Sequence, residues 1–269
     1  EHTNRILNIT KSNFHTFLSK KEIDLELQLE ESKIELKSIP KQNGNDVYEP
    51  EIKSALEKAD LLYLDTKHDD CVEFCKKMIK KHPTIAKFHL ILASSYWRLN
   101  ENDKLVQSAK TAITLNNELY DAYNLLGIGY SRIKRKEQLS VKNYDICLNQ
   151  FPEEHVFLRN RALSFISLEN DINIPKKFRD NFKEKANKDL DTIINLLNQT
   201  SDNDLDFGAL HTRAVAYAQI NKLRLAQKDI DLAIVKYDKT TDKFALDKNE
   251  LIEMKYLQRE LKRERKAGY

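Results

Sequence analysis

The sequence predicts an all-α solenoid: about five helical hairpins stacked in tandem, with an N-terminal extension before them and a C-terminal capping helix after them. Three observations predict it. One small pattern recurs about every 34 residues, small side chains fall at fixed offsets within it, and the composition is poor in turn formers. The chain of 269 residues holds only five Gly and five Pro, while 32% of residues are charged and 41% hydrophobic. Strands joined by tight turns consume Gly and Pro, so this profile favours helices.

Residues 1–40 precede the repeats. Leu7, Leu18 and Leu29 recur at a fixed interval, and so do Phe14, Leu25 and Leu36. That interval is close to three turns of a straight helix, and the abundance of Leu, Glu, Lys and Gln favours an amphipathic helix. A strand competes, because Ile23, Leu25, Leu27 and Leu29 alternate with polar residues. In either form the apolar stripe needs a cover, which makes Leu18, Leu25, Leu29 and Leu36 contact candidates. Residues 41–51, with Gly44, read as a linker.

The first repeat, 52–85, carries Ala59, Leu62, Cys71, Cys75 and Met78 and closes near Pro83. The second, 86–119, puts Leu92, Ala93 and Tyr96 on one helix and Leu105, Ala109 and Ala112 on the next. The third, 120–154, repeats this with Leu126, Gly127 and Tyr130, then Ser140, Tyr144 and Cys147, with one extra residue in the Lys134–Gln138 turn. The fourth, 155–206, has Leu158, Ala162 and Phe165 on its first helix, but its second resumes at Ala186, Leu190 and Ile193 after an insertion, 169–185. Asn173 and Pro175 form a helix start signal. From there Phe178, Phe182, Ala186, Leu190, Ile193 and Leu197 step along one face. Two extra turns are expected to project from the stack, with Phe178 and Phe182 as contact candidates. The fifth repeat, 207–238, carries Ala214, Tyr217, Ala226, Ile230 and Ala233. Phe244, Leu251, Met254, Leu257 and Leu261 then form an apolar stripe within 239–269, as expected of a capping helix.

These residues resemble the tetratricopeptide repeat (TPR), a helix–turn–helix unit with large and small residues at set positions. The resemblance covers 52–238 and implies a right-handed superhelix whose inner face is lined by the first helix of each repeat. It implies a protein-binding scaffold and supplies no catalytic chemistry. Counting along the pattern places Leu56, Tyr63, Leu90, Ile91, Trp97, Arg98, Asn124, Leu125, Ile128, Arg132 and Arg159 on that face. Over the first three repeats it reads as apolar, rimmed by Arg, with the chain's one Trp on it. Trp and Arg are common anchors of protein contacts. The expected ligand is therefore a helical or extended apolar segment of another protein, unless the N-terminal or C-terminal helix of the chain itself fills the groove. Chaperone-binding relatives hold a terminal carboxylate with Lys, Asn and Arg. The matching positions here are Leu56, Asp60, Ile91, Asp121 and Leu125, which cannot do so.

No catalytic, metal or cofactor site is expected. Cys71 and Cys75 fall on packing positions, the seven His show no ligand spacing, and no Gly-rich elbow or phosphate loop is present. Gly127 and Gly129 lie inside a helix, where a small residue permits close packing. Three thiols without a framework spacing suggest a reducing, cytoplasmic setting, or an organelle or cytoskeletal assembly. A chain opening on Glu1 reads as a processed or trimmed product. The net charge of +3 is carried by residues 255–266, where six cations face Glu260 and Glu264. Nucleic-acid contact is expected to be at most weak and confined to this tail. The scaffold reading, as a structural subunit of a larger multi-subunit complex, has two alternatives. One is the regulatory TPR module of a larger enzyme, and the other is a co-chaperone without the clamp.

Overall fold

The computed structural model describes residues 48–240 and 248–266. Leu18, Leu25, Leu29, Leu36 and the choice between helix and strand for the N-terminal extension lie outside the described residues, as does Phe244. The described residues form eleven helices: α1 (Pro50–Leu64), α2 (His68–Lys81), α3 (Ala86–Arg98), α4 (Asn102–Leu115), α5 (Tyr120–Ser131), α6 (Glu137–Gln150), α7 (His155–Asn170), α8 (Lys176–Leu197), α9 (Phe207–Gln219), α10 (Leu223–Lys239) and α11 (Lys248–Lys266). Ten of them pair in order into five hairpins, and each hairpin packs on the next to form the superhelix.

Small residues set the close approach within each hairpin. Ala59, Ala93, Ala162 and Ala214 are fully buried at one position of the first helices, and Gly127 takes that place in α5. Opposite them lie Cys71, Leu105, Ser140, Ala186 and Ala226, with Met78, Ala112, Cys147, Ile193 and Ala233 two turns on, all buried. Short side chains here also reach the facing backbone. Cys71 Sγ donates to the Ala59 carbonyl at 3.4 Å, and Ser140 Oγ to that of Gly127 at 2.8 Å. Each such bond satisfies a polar group that would otherwise be costly to bury.

The turns inside four hairpins share a stop signal. Thr66, Asn100, Arg135 and Asn221 adopt left-handed backbone with φ of 64, 59, 68 and 59°. After three of them the next amide bonds back to the carbonyl five residues earlier: Lys67 to Leu62, Glu101 to Tyr96 and Lys222 to Tyr217. This closes the helix in a Schellman cap. Asn tolerates this conformation, but β-branched Thr is strained in it. Thr66→Asn is therefore expected to stabilise the fold by about 0.5–1 kcal/mol, read as a higher unfolding midpoint. An unchanged midpoint would mean that the 2.6 Å bond from Thr66 Oγ to the Asp65 carbonyl offsets the strain.

Repeats four and five add a feature that the others lack. Arg161 and Arg213 stand just before Ala162 and Ala214, and each grips an Asp on the second helix of its own hairpin. Arg161 binds Asp189 through Nε at 2.9 Å and Nη2 at 2.8 Å. Arg213 binds Asp229 through Nε at 2.7 Å and Nη2 at 2.9 Å. Both Asp and the Arg213 side chain are buried.

The insertion is more covered than the sequence suggests. α8 begins directly after Pro175, but α7 is also longer than the other first helices and flanks its added turns. Phe182 stacks on Phe165, with ring centres 6.1 Å apart, in a small satellite core with Leu168 and Ala186. Phe182 is thus partly taken up by packing within the chain, while Phe178 stays 38% exposed. At the other end α11 lays Met254 and Leu261, both buried, on the last hairpin and caps it.

Candidate functional site

The inner face of the superhelix encloses a groove of about 740 Å³. Its walls come from α3, α5, α7 and α9, with one side chain from α6 and two from α11. Trp97, Arg98, Asn124, Ile128, Arg132 and Arg159, placed on this face by counting, line it. Leu125 also borders it, but is only 6% exposed. Leu56, Tyr63, Leu90 and Ile91 do not line it. Leu56 and Ile91, at 6% and 8% exposure, join Leu125 in the core that seals successive first helices together. The groove is therefore centred on repeats two to five, not one to three, and its apolar surface is smaller than expected. Leu163 and Val215, which counting did not place there, add to Trp97 and Ile128 on the apolar side.

A polar ladder runs across three first helices. Arg159 on α7 donates from Nη1 to Thr212 Oγ1 of α9 at 3.2 Å and from Nε to Asn160 Oδ1 at 3.4 Å. Asn160 Nδ2 then donates to Asn124 Oδ1 on α5 at 2.9 Å. Arg132 donates to the Trp97 carbonyl at 3.2 Å and to Asn100 Oδ1 at 3.0 Å. Burial lowers the pKa of both Arg132 and Arg159. A guanidinium starts so high that both stay cationic at neutral pH. The guanidinium of Arg98 stacks on Trp97 at 3.7 Å from the ring centre, a cation–π contact.

Two contributors to the groove escape any count along the first helices. Tyr144 belongs to α6, a second helix, yet borders the groove because its ring lies against Gly127. A Cβ at Gly127 would stand 2.7 Å from that ring. The signal was a paired exchange: Gly where Ala59 and Ala93 stand, and Tyr where Cys75 and Ala109 stand. Burial pushes the Tyr144 hydroxyl above its ordinary range, so it remains neutral. Glu250 and Glu253 of α11 are the second contribution. Glu253 Oε1 accepts from Arg98 Nη1 at 2.6 Å, Glu250 lies 3.7 Å from His211 Nδ1, and Lys248 reaches Asp65 of the first hairpin at 2.8 Å. The capping helix thus also straps the two ends of the superhelix across the groove mouth. It occupies one margin and leaves the cavity open.

Three polar atoms of the lining are buried with no hydrogen-bond partner among the described residues: Trp97 Nε1, His155 Nδ1 and His211 Nδ1. Burial lowers the pKa of His155, which favours its neutral ring. Buried polar atoms left unpaired cost about 1–3 kcal/mol each.

No group of three or more His, Cys, Asp or Glu among the described residues is placed to hold a metal ion. Cys71 and Cys75 are buried, and the hydrogen bond between them together with burial pushes the Cys75 thiol far up. Burial raises the Cys147 thiol to about 12, so it too stays protonated. No described helix is long and apolar enough to cross a membrane.

No family model and no curated protein matches the chain. Solved structures do. A thermophilic TPR protein from Thermus thermophilus, TTC0263, aligns at a TM-score of 0.55 over 76% of this chain and 97% of its own, with 13% identity. This chain has the tetratricopeptide-repeat fold. MamA aligns over 67% of this chain and 95% of its own, at 17% identity and a TM-score of 0.45. The TPR domain of P58(IPK) aligns over 78% and 66%, at 15% identity and 0.35.

Proposed function

We propose that this TPR chain is a non-catalytic scaffold, a structural subunit of a larger cytoplasmic assembly, that holds a segment of a partner protein in its inner groove. The observation that supports this is the open inner groove of about 740 Å³, with Trp97 on its wall and Arg132 and Arg159 beside it. Tryptophan and arginine are over-represented among the residues that dominate binding energy at protein contacts. The row of polar side chains Asn124, Asn160 and Arg159, beside Ile128 and Leu163, suits an extended segment with alternating polar and apolar side chains.

Affinity purification from the source organism tests it. Trp97→Ala combined with Leu163→Ala should remove the stoichiometric partner, while Leu225→Ala, on α10 outside the groove lining, should retain it. Equal recovery from all three chains would show that the groove is not the binding surface.

A further inference from the structure

The charges of the groove point to the chemistry of its occupant, an inference that rests on the groove being the binding surface. Six charged side chains line it: Arg98, Arg132 and Arg159 against Asp206, Glu250 and Glu253. The carboxylates are committed. Asp206 caps α9 by accepting from the Ala209 amide at 2.7 Å, Glu253 is bound to Arg98, and Glu250 faces His211. Glu253 attracts both remaining guanidinium groups through space, and Glu250 attracts that of Arg159, but neither carboxylate bonds them. Arg159 and Arg132 bond only neutral oxygens: Thr212, Asn160, Asn100 and the Trp97 carbonyl. A partly buried guanidinium among neutral acceptors retains donors for a carboxylate, the partner that gives its strongest bonds.

The chain itself shows that the site accepts this chemistry. Glu253, carried in on α11, makes on Arg98 the bond that Arg132 and Arg159 lack. We propose that the groove recognises an acidic side chain within an extended polypeptide segment of a partner, seated on Arg159 with Arg132 beside it. Flanking apolar side chains of the segment rest on Ile128, Leu163 and Val215. This arrangement differs from the terminal-carboxylate clamp, whose positions in this chain hold Leu56, Asp60, Ile91, Asp121 and Leu125.

Trp97 supplies the readout, because it is the chain's one tryptophan and borders the groove. The probe is a peptide of alternating Leu and Asp, acetylated and amidated, titrated into the full chain. Trp97 fluorescence should change saturably, and affinity should fall as salt rises. Replacing the peptide's Asp by Asn should weaken binding about 10-fold or more, as should Arg159→Gln, with Arg132→Gln a second variant of the same sign. Glu253→Gln should tighten binding by releasing Arg98 from its internal carboxylate. Equal affinity for the Asp and Asn peptides overturns the carboxylate inference and leaves the groove as the binding surface. A peptide that binds only with an unblocked C-terminus overturns the side-chain assignment in favour of a terminal carboxylate. Binding that appears only after Glu22, Asp24 and Glu26 are changed to Gln overturns the partner, making the chain's own acidic segment the occupant. No binding of any peptide, together with partner recovery unaffected by Trp97→Ala and Leu163→Ala, removes the scaffold reading as well.

Discussion

Asp229→Ala is expected to destabilise the fold by about 3–5 kcal/mol, toward the lower end of that range. The substitution leaves the buried Arg213 guanidinium without its bidentate partner on α10. Arg213 keeps weaker support from the Leu197 carbonyl, Asn198 and Asp202, which is why the loss falls short of a wholly unpaired buried charge. Since a domain's total stability is about 5–15 kcal/mol, a shift of this size should be plain in a denaturant melt. Pairing Asp229→Leu with Arg213→Met should recover most of the loss, because replacing both partners by apolar groups removes the unmet charge. If Asp229→Ala alone cost under about 1 kcal/mol, the bridge would not be what closes the fifth hairpin. The same network predicts an acid limb. Lys228 first, then Arg213, hold Asp202 down from 3.8 to about 2. A depressed carboxylate stabilises the fold above its ordinary pKa and loses that contribution as pH falls through the folded value. Stability should therefore drop between about pH 4 and pH 2, and Asp202→Asn should flatten that drop.

Gly127→Ala carries the second largest expected effect, a loss of about 1–3 kcal/mol from overpacking. The added methyl would stand 2.7 Å from two ring carbons of Tyr144 and 3.1 Å from its hydroxyl. Tyr144 is fully enclosed and cannot swing away, and Ser140 and Ser164, joined at 2.8 Å, pin the two helices beside it. Combining Gly127→Ala with Tyr144→Leu should cost less than the sum of the two single changes, because the smaller side chain vacates the space that the methyl needs. Additive costs would mean that the two residues do not share that space.

The hairpin stack was legible because its cause is periodic. A helix that must lie close to its partner every 34 residues or so repeats a small side chain at that interval, as Ala59, Ala93, Gly127, Ala162 and Ala214 do, apart from the insertion. The groove was only partly legible, because counting gives direction and not depth. Ile91 and Trp97 point to the same side, but neighbouring first helices close over Ile91 and leave Trp97 at the rim. Tyr144 needed a contact between two helices, in which the absence of a Cβ on one admits a ring from the other. Glu250 and Glu253 depend on where α11 comes to rest after the last repeat, and no period constrains that. The pairing of Arg213 with Asp229 has no counterpart in the first three repeats, so no period announces it, and only the hairpin brings the two together.

The central claim is that the inner groove holds a partner's segment, and site-specific photocrosslinking tests it most directly. A photoreactive phenylalanine analogue at position 163, where the native Leu163 is 37% exposed on the groove wall, should crosslink in cells of the source organism to one acidic segment of one protein. The same analogue at position 225, outside the groove, should not reach that segment. Crosslinks from 225 but none from 163 would contradict the account and move the binding surface away from the groove.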